Sequence, residues 1–134
     1  MIGGKGERVT LRIVARYGDA CNFTHPTPEE MAHKFALIQR YCAEVGRDAR
    51  EIRRTIYVNG VVGETDIQAT MKANNLQGKF STDHLQVRGL LGSPATIQKR
   101  LRDIEQCGVH EVIVCLPDSA DVEALRLLAQ GIHL

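Results

Sequence analysis

Short strand-like runs alternate with segments of helical periodicity along the whole chain, and few folds are open to a sequence built this way. Asp19-Ala20-Cys21-Asn22-Phe23 reads as one strand. Ile52 to Val62 holds another, clearest at Thr55-Ile56-Tyr57-Val58-Asn59, where β-branched and aromatic residues collect. Val109 to Leu116 is an almost unbroken apolar run, the pattern of a parallel strand covered on both faces. At the start only Met1-Ile2 remains of a strand.

Between the strands the spacing turns helical. Val9, Ile13, Val14 and Tyr17 predict a helix from about Glu7 to Tyr17. Thr27-Pro28-Glu29-Glu30 is a strong helix start, with Thr27 as N-cap, Pro28 in the first position and Glu30 placed to close a capping box. Met31, Phe35, Ile38, Cys42 and Val45 then form its inner stripe, and Gly46 ends it. Ser93-Pro94 opens a further helix with Ile97, Leu101 and Ile104 inside and Gly108 beyond its end. A last helix carries Val122, Leu125 and Leu128 on one side.

These elements make about four βα units with parallel strands. That is half of an eightfold (β/α)8 TIM barrel, which needs ~250 residues when whole. A small doubly wound α/β sheet is the alternative. Residues 1–134 read as one domain, with 63–89 as an insertion or mobile loop. A helix over Asp66 to Asn75 fits inside that segment, but Asn74-Asn75, Gly78 and Ser81-Thr82-Asp83 interrupt any longer pattern.

Of the 134 residues 43% are hydrophobic, enough for a real core, and 17 basic against 16 acidic residues leave a net charge of +1. That balance offers nucleic acid no field to follow. No apolar stretch approaches the roughly 18 residues of a membrane span, and the first residues lack a signal-peptide layout, so the chain reads as cytoplasmic. Cys21, Cys42, Cys107 and Cys115 are far apart and without metal-ligand spacing, and are expected as reduced, buried thiols. No metal site is expected.

The sharpest functional signal is Gly3-Gly4-Lys5-Gly6-Glu7-Arg8, a glycine-rich turn in front of a helix. Gly3, Gly4 and Gly6 would let amides approach an anion, with Lys5 or Arg8 as a charged partner. The same glycines also suit a tight strand-to-helix turn that binds nothing. Asn22, at the end of its strand, either faces a ligand or satisfies loop backbone before Pro26. Cys21 has no neighbouring base in sequence to activate it. His25 follows the strand and is a candidate site residue. His33 falls on the polar side of its helix, His84 in the insertion and His133 in the tail, and His110 reads as structural. No residue presents itself as a catalytic base.

Gly3-Gly4-Lys5-Gly6-Glu7-Arg8, followed by Leu11-Arg12-Ile13-Val14-Ala15-Arg16-Tyr17-Gly18-Asp19-Ala20-Cys21-Asn22, resembles a stretch in the second half of the luciferase-like monooxygenase barrel. Gly46-Arg47-Asp48 with Ile52-Arg53-Arg54-Thr55 resembles that family's helix-to-strand passage. Leu91-Gly92-Ser93-Pro94 through Leu101, and Gly108-Val109-His110-Glu111-Val112-Ile113, resemble its last helix and strand. The likeness is strongest to the deazaflavin-dependent branch of methylenetetrahydromethanopterin reductase-like oxidoreductases. It implies a cofactor, F420 or FMN, at the C-terminal ends of the strands, with its phosphate on Gly3, Gly4, Lys5, Gly6 and Arg8 and with Asn22 close by. It also implies that the barrel's first half, with much of the ring pocket and most contacts to a small-molecule substrate, lies outside the matched stretch.

Two expectations follow. One is a piece of a flavin- or deazaflavin-dependent oxidoreductase, inactive by itself, that keeps the phosphate turn. The other is a non-catalytic half-barrel that associates with itself or binds a ligand. Either way open strand edges call for cover, so a homodimer or larger homo-oligomer is expected.

Overall fold

A computed structural model describes residues 1–76, 81–117 and 121–132. In chain order these form β1 (Ile2–Gly3), α1 (Thr10–Tyr17), β2 (Ala20–Thr24), α2 (Pro28–Glu44), a 3-10 turn (Ala49–Glu51), β3 (Arg53–Val62), α3 (Asp66–Asn75), α4 (Thr82–Arg88), β4 (Leu90–Gly92), α5 (Pro94–Gln106), β5 (Glu111–Cys115) and α6 (Val122–Gly131). The fold is α/β, and its sheet is built from parallel pairs. β1 lies beside β2, β2 beside β3, and β4 adds three residues to the far end of β3. β5 also pairs with β3.

The chain forms two compact units, one of residues 1–57 and 105–113, the other of 58–104 and 114–134. In the first, Phe23 of β2 stacks against Phe35 of α2 at 5.8 Å between ring centroids, and the Arg54 guanidinium lies 4.8 Å above the Phe35 ring. Leu11, Val14 and Ala15 of α1 close the same core. The later segment is tied to β3 at Arg54, whose N–H donates to His110 Nδ1 (3.1 Å) while its carbonyl accepts from the His110 N–H (2.8 Å). His110 is thus structural, as its place in sequence suggested. In the second unit Val61, Ala73 and Leu85 form a buried cluster flanked by Leu76 and Leu91. There the Asp66 carboxylate accepts from the Ser93 N–H at 2.7 Å, joining the first turn of α3 to the start of α5. That bond, with those from Thr96 and the Ser93 side chain, holds the Asp66 carboxyl below the usual aspartate range.

The capping box of α2 forms as expected, with Glu30 N–H on Thr27 Oγ1 and Thr27 N–H on Glu30 Oε2. Gly46 follows the helix at φ +70°, a conformation that favours glycine. Several expectations need correction, beginning with Val45, which stands 40% exposed at the end of α2 rather than on its inner stripe. Helix α1 starts at Thr10 rather than near Glu7, because residues 7–9 complete the glycine turn. Its inner face is Leu11, Val14 and Ala15, so Val9, Ile13 and Tyr17 stand 67%, 43% and 71% exposed. In α6 the buried side is Ala124, Leu127 and Leu128, leaving Val122 and Leu125 outside. In both helices tertiary packing, rather than apolar spacing alone, selects the buried row. Strand β5 is shorter than the apolar run, and Val112 to Cys115 are only half-buried. It pairs with β3 alone among the described strands, and an edge strand leaves one flank open.

Within 63–89 the described residues form α3 and α4, the first over the stretch anticipated. Gly78 and His133 lie outside the described residues. All four cysteines are free thiols, Cys21 and Cys42 buried and Cys107 and Cys115 partly so.

Candidate phosphate turn and its surroundings

The turn grows out of a strand register. Gly3 lies opposite Asn22, and Asn22 lies opposite Thr55, so the three form a row across β1, β2 and β3. After Gly3 the chain doubles back on Thr10, the first residue of α1. Gly4 has φ +136°, and a Cβ there would stand 3.2 Å from Thr10 Cγ2. A Cβ on Gly6 would stand 2.9 Å from Thr10 Oγ1. Gly3 meets nothing closer than the Asn22 carbonyl at 3.8 Å. Gly4 and Gly6 are therefore imposed by the close approach to Thr10, whereas Gly3 is not.

The backbone of this turn is left open to solvent. The Gly6 carbonyl accepts from the Leu11 N–H, but among the described residues no hydrogen bond uses the amides of Lys5 to Val9. Helix α1 also lacks a capping side chain, since Val9 stands at its N-cap. Among the described residues each of the other five helices has one, from Thr27, Thr65, Ser81, Ser93 or Asp121. Unpaired amides and the positive end of a helix thus coincide.

The charged side chains around the turn are mixed in sign. Lys5 and Arg8 are exposed. Glu7 is drawn aside by His33 Nε2 at 3.3 Å and Lys34 Nζ at 3.5 Å, and the His33 hydrogen bond above all holds its carboxyl below the usual range. The Lys34 ammonium also donates to the Lys5 carbonyl at 3.2 Å. A shallow cleft of about 150 Å³ opens here, lined by Lys5 and Lys34, by Glu7 and Glu30, and by Thr24 and Pro26 among others.

Asn22 is half-buried and lies next to the turn, as the register requires. Its Oδ1 sits 2.9 Å from Thr55 Oγ1, which is equally close to the Cys21 carbonyl; one hydroxyl proton serves one of the two acceptors at a time. Two residues further along, on the same face, Tyr57 lies opposite Thr24. His25 follows with φ +48°, its N–H on the Tyr57 carbonyl at 2.8 Å and its ring edge-on to Tyr57 at 5.5 Å. Burial pushes the Cys21 thiol up, which leaves it protonated and inert. Among the described residues no cluster of His, Cys, Asp or Glu could hold a metal ion, and no helix is long and apolar enough to cross a membrane.

Sequence reasoning missed Thr10, Lys34, Thr55 and Tyr57. Lys34 carried a signal, because it stands three residues after Met31 and four before Ile38, inside the apolar stripe of α2. Thr55 and Tyr57 carried none beyond strand propensity.

Solved structures share this fold. An F420-dependent secondary alcohol dehydrogenase, in complex with an F420-acetone adduct, superposes over 97% of the chain with a TM-score of 0.79 at 10% identity. The chain has the fold of half an eightfold βα barrel. A coenzyme F420-dependent tetrahydromethanopterin reductase from Methanopyrus kandleri matches 96% of it (TM-score 0.73, 15% identity), and a long-chain alkane monooxygenase 94% (0.75, 15%). The half-barrel spans 46%, 48% and 38% of those three chains, under half of each. No protein-family model matches the sequence, and no curated protein matches it. The doubly wound sheet, the alternative fold, is set aside by these superpositions.

Proposed function

We propose that this half-barrel is the cofactor-phosphate-holding part of a luciferase-like oxidoreductase that uses F420 or FMN. The observation that carries the reading is the turn itself: Gly4 and Gly6 fold onto Thr10 and leave five successive amides free at an uncapped helix start. The structural neighbours, which include F420-dependent enzymes and a monooxygenase, support the same reading. A bound flavin or deazaflavin supplies the hydride chemistry. The part of this chain is to hold the phosphate on the Lys5–Val9 amides, with Lys5 and Arg8 balancing its charge and Asn22 beside it. Four unpaired cysteines fit work in the reducing cytoplasm. No residue here is assigned a proton transfer, and the ring and substrate pockets belong to residues beyond this half, so turnover by the isolated chain is not expected.

Gly4→Val tests the site. Valine both resists φ +136° and strikes Thr10, so the turn must open. Calorimetry with inorganic phosphate, FMN and F420 is expected to show weak binding to the unmodified chain and none to Gly4→Val. Equal binding by both proteins removes the turn from the site.

The second reading, a half-barrel that associates with a copy of itself, draws on the exposed apolar residues Val9 at the N-cap of α1, Ile13 and Tyr17 within it, and Val122 and Leu125 of α6. Sedimentation equilibrium at micromolar concentration is then expected to return a mass above the 14.9 kDa of one chain. A stable, folded monomer ends this reading.

A further inference from the structure

We infer that Lys34 is the positioning residue of the phosphate turn: its buried ammonium group fixes the Lys5 carbonyl inward and thereby aims the Gly6 amide outward. The inference rests on the reading of the turn as an anion site. Lys34 is only 8% exposed, in the stripe where Met31, Phe35 and Ile38 pack, and lysine is almost never buried without partners. A methionine would fill the same slot without desolvating a charge. The charge is engaged instead with the turn, through the Lys5 carbonyl at 3.2 Å and Glu7 Oε1 at 3.5 Å, while the Phe23 ring lies 5.5 Å from it.

The peptide geometry turns that contact into a direction. No described peptide bond is cis, and in a trans peptide the carbonyl of one residue and the N–H of the next point opposite ways. With the Lys5 carbonyl held on Lys34, the Gly6 N–H faces away from the protein, where an anion would lie. The same ammonium, together with His33, engages the Glu7 carboxylate, the negative charge nearest the turn in sequence. Lys34 so presents a donor through one contact and offsets a competing negative charge through the other.

The test compares the unmodified chain with Lys34→Met and Lys34→Arg, by backbone amide resonances and by titration with inorganic phosphate. In Lys34→Met the Gly6 amide resonance is expected to move toward its random-coil position, and phosphate affinity to fall about tenfold, the loss of one charge-assisted contact. Lys34→Arg, which keeps the charge, is expected to restore most of both. An unmoved Gly6 resonance in Lys34→Met, or Met and Arg variants that behave alike, overturns the inference. If the unmodified chain binds no phosphate while the Gly6 resonance still follows the Met and Arg pattern, the phosphate reading falls and the positioning role of Lys34 stands. Should Lys34→Met fail to fold, the unmodified chain decides alone. Lys34 ammonium protons protected from exchange support the contact, and a fast-exchanging ammonium overturns it.

Discussion

Phe23→Ala is expected to lower stability by about 3–5 kcal/mol, the range for truncating a fully buried aromatic residue. Phe23 is 2% exposed, its ring packs on Phe35, and the Lys34 ammonium rests near its face. Removing it leaves a cavity in the β2–α2 core and takes away the surface against which the buried charge sits. Urea unfolding should show a lower midpoint at an unchanged slope. Phosphate binding should weaken in the same variant even where the chain remains folded. A loss below about 1.5 kcal/mol would mean that α2 closes onto β2 and fills the gap.

Gly89→Ala is expected to destabilise by about 1–3 kcal/mol for the opposite reason, overpacking. Gly89 has an ordinary extended φ of −128°, so alanine adopts its backbone freely. The obstacle is space. A Cβ would stand 2.6 Å from the Asn59 carbonyl oxygen of β3 and 3.0 Å from that of Leu85 in α4. Both are backbone atoms inside regular elements and cannot swing aside as a side-chain tip would. Thermal unfolding of Gly89→Ala should therefore begin well below that of the unmodified chain, and an equal melting temperature would show that β3 and α4 part without cost.

The two substitutions also mark what the sequence could and could not tell. Phe23 was legible as a strand residue, just as the α2 capping box was legible from Thr27 to Glu30, because both signals are local. The close approach at Gly89 was not, since it is made with Asn59, thirty residues earlier in the chain. In α1 the spacing of Val9, Ile13, Val14 and Tyr17 marked a helix, but packing buries Leu11, Val14 and Ala15 and leaves Val9, Ile13 and Tyr17 outside. The candidate site divides in the same way. Gly4 and Gly6 stand out as glycines, but the reason for them is Thr10, an ordinary residue until the turn folds back on it. Lys34 could be noticed as a charge in an apolar stripe, yet its target, a main-chain carbonyl in the turn, leaves no trace in the order of residues.

The joining of His110 to Arg54 has a consequence for how the chain is made. Arg54 leaves the ribosome 56 residues ahead of the histidine that satisfies its amide and carbonyl. At about 5–20 residues per second, that is a wait of roughly 3–11 s during which the first unit is on hand but unfinished. Its β3 edge stays open throughout, available to any passing strand. A released chain that ends before residue 105 should be a better client for chaperones, and an easier mark for proteases, than one that ends a dozen residues later.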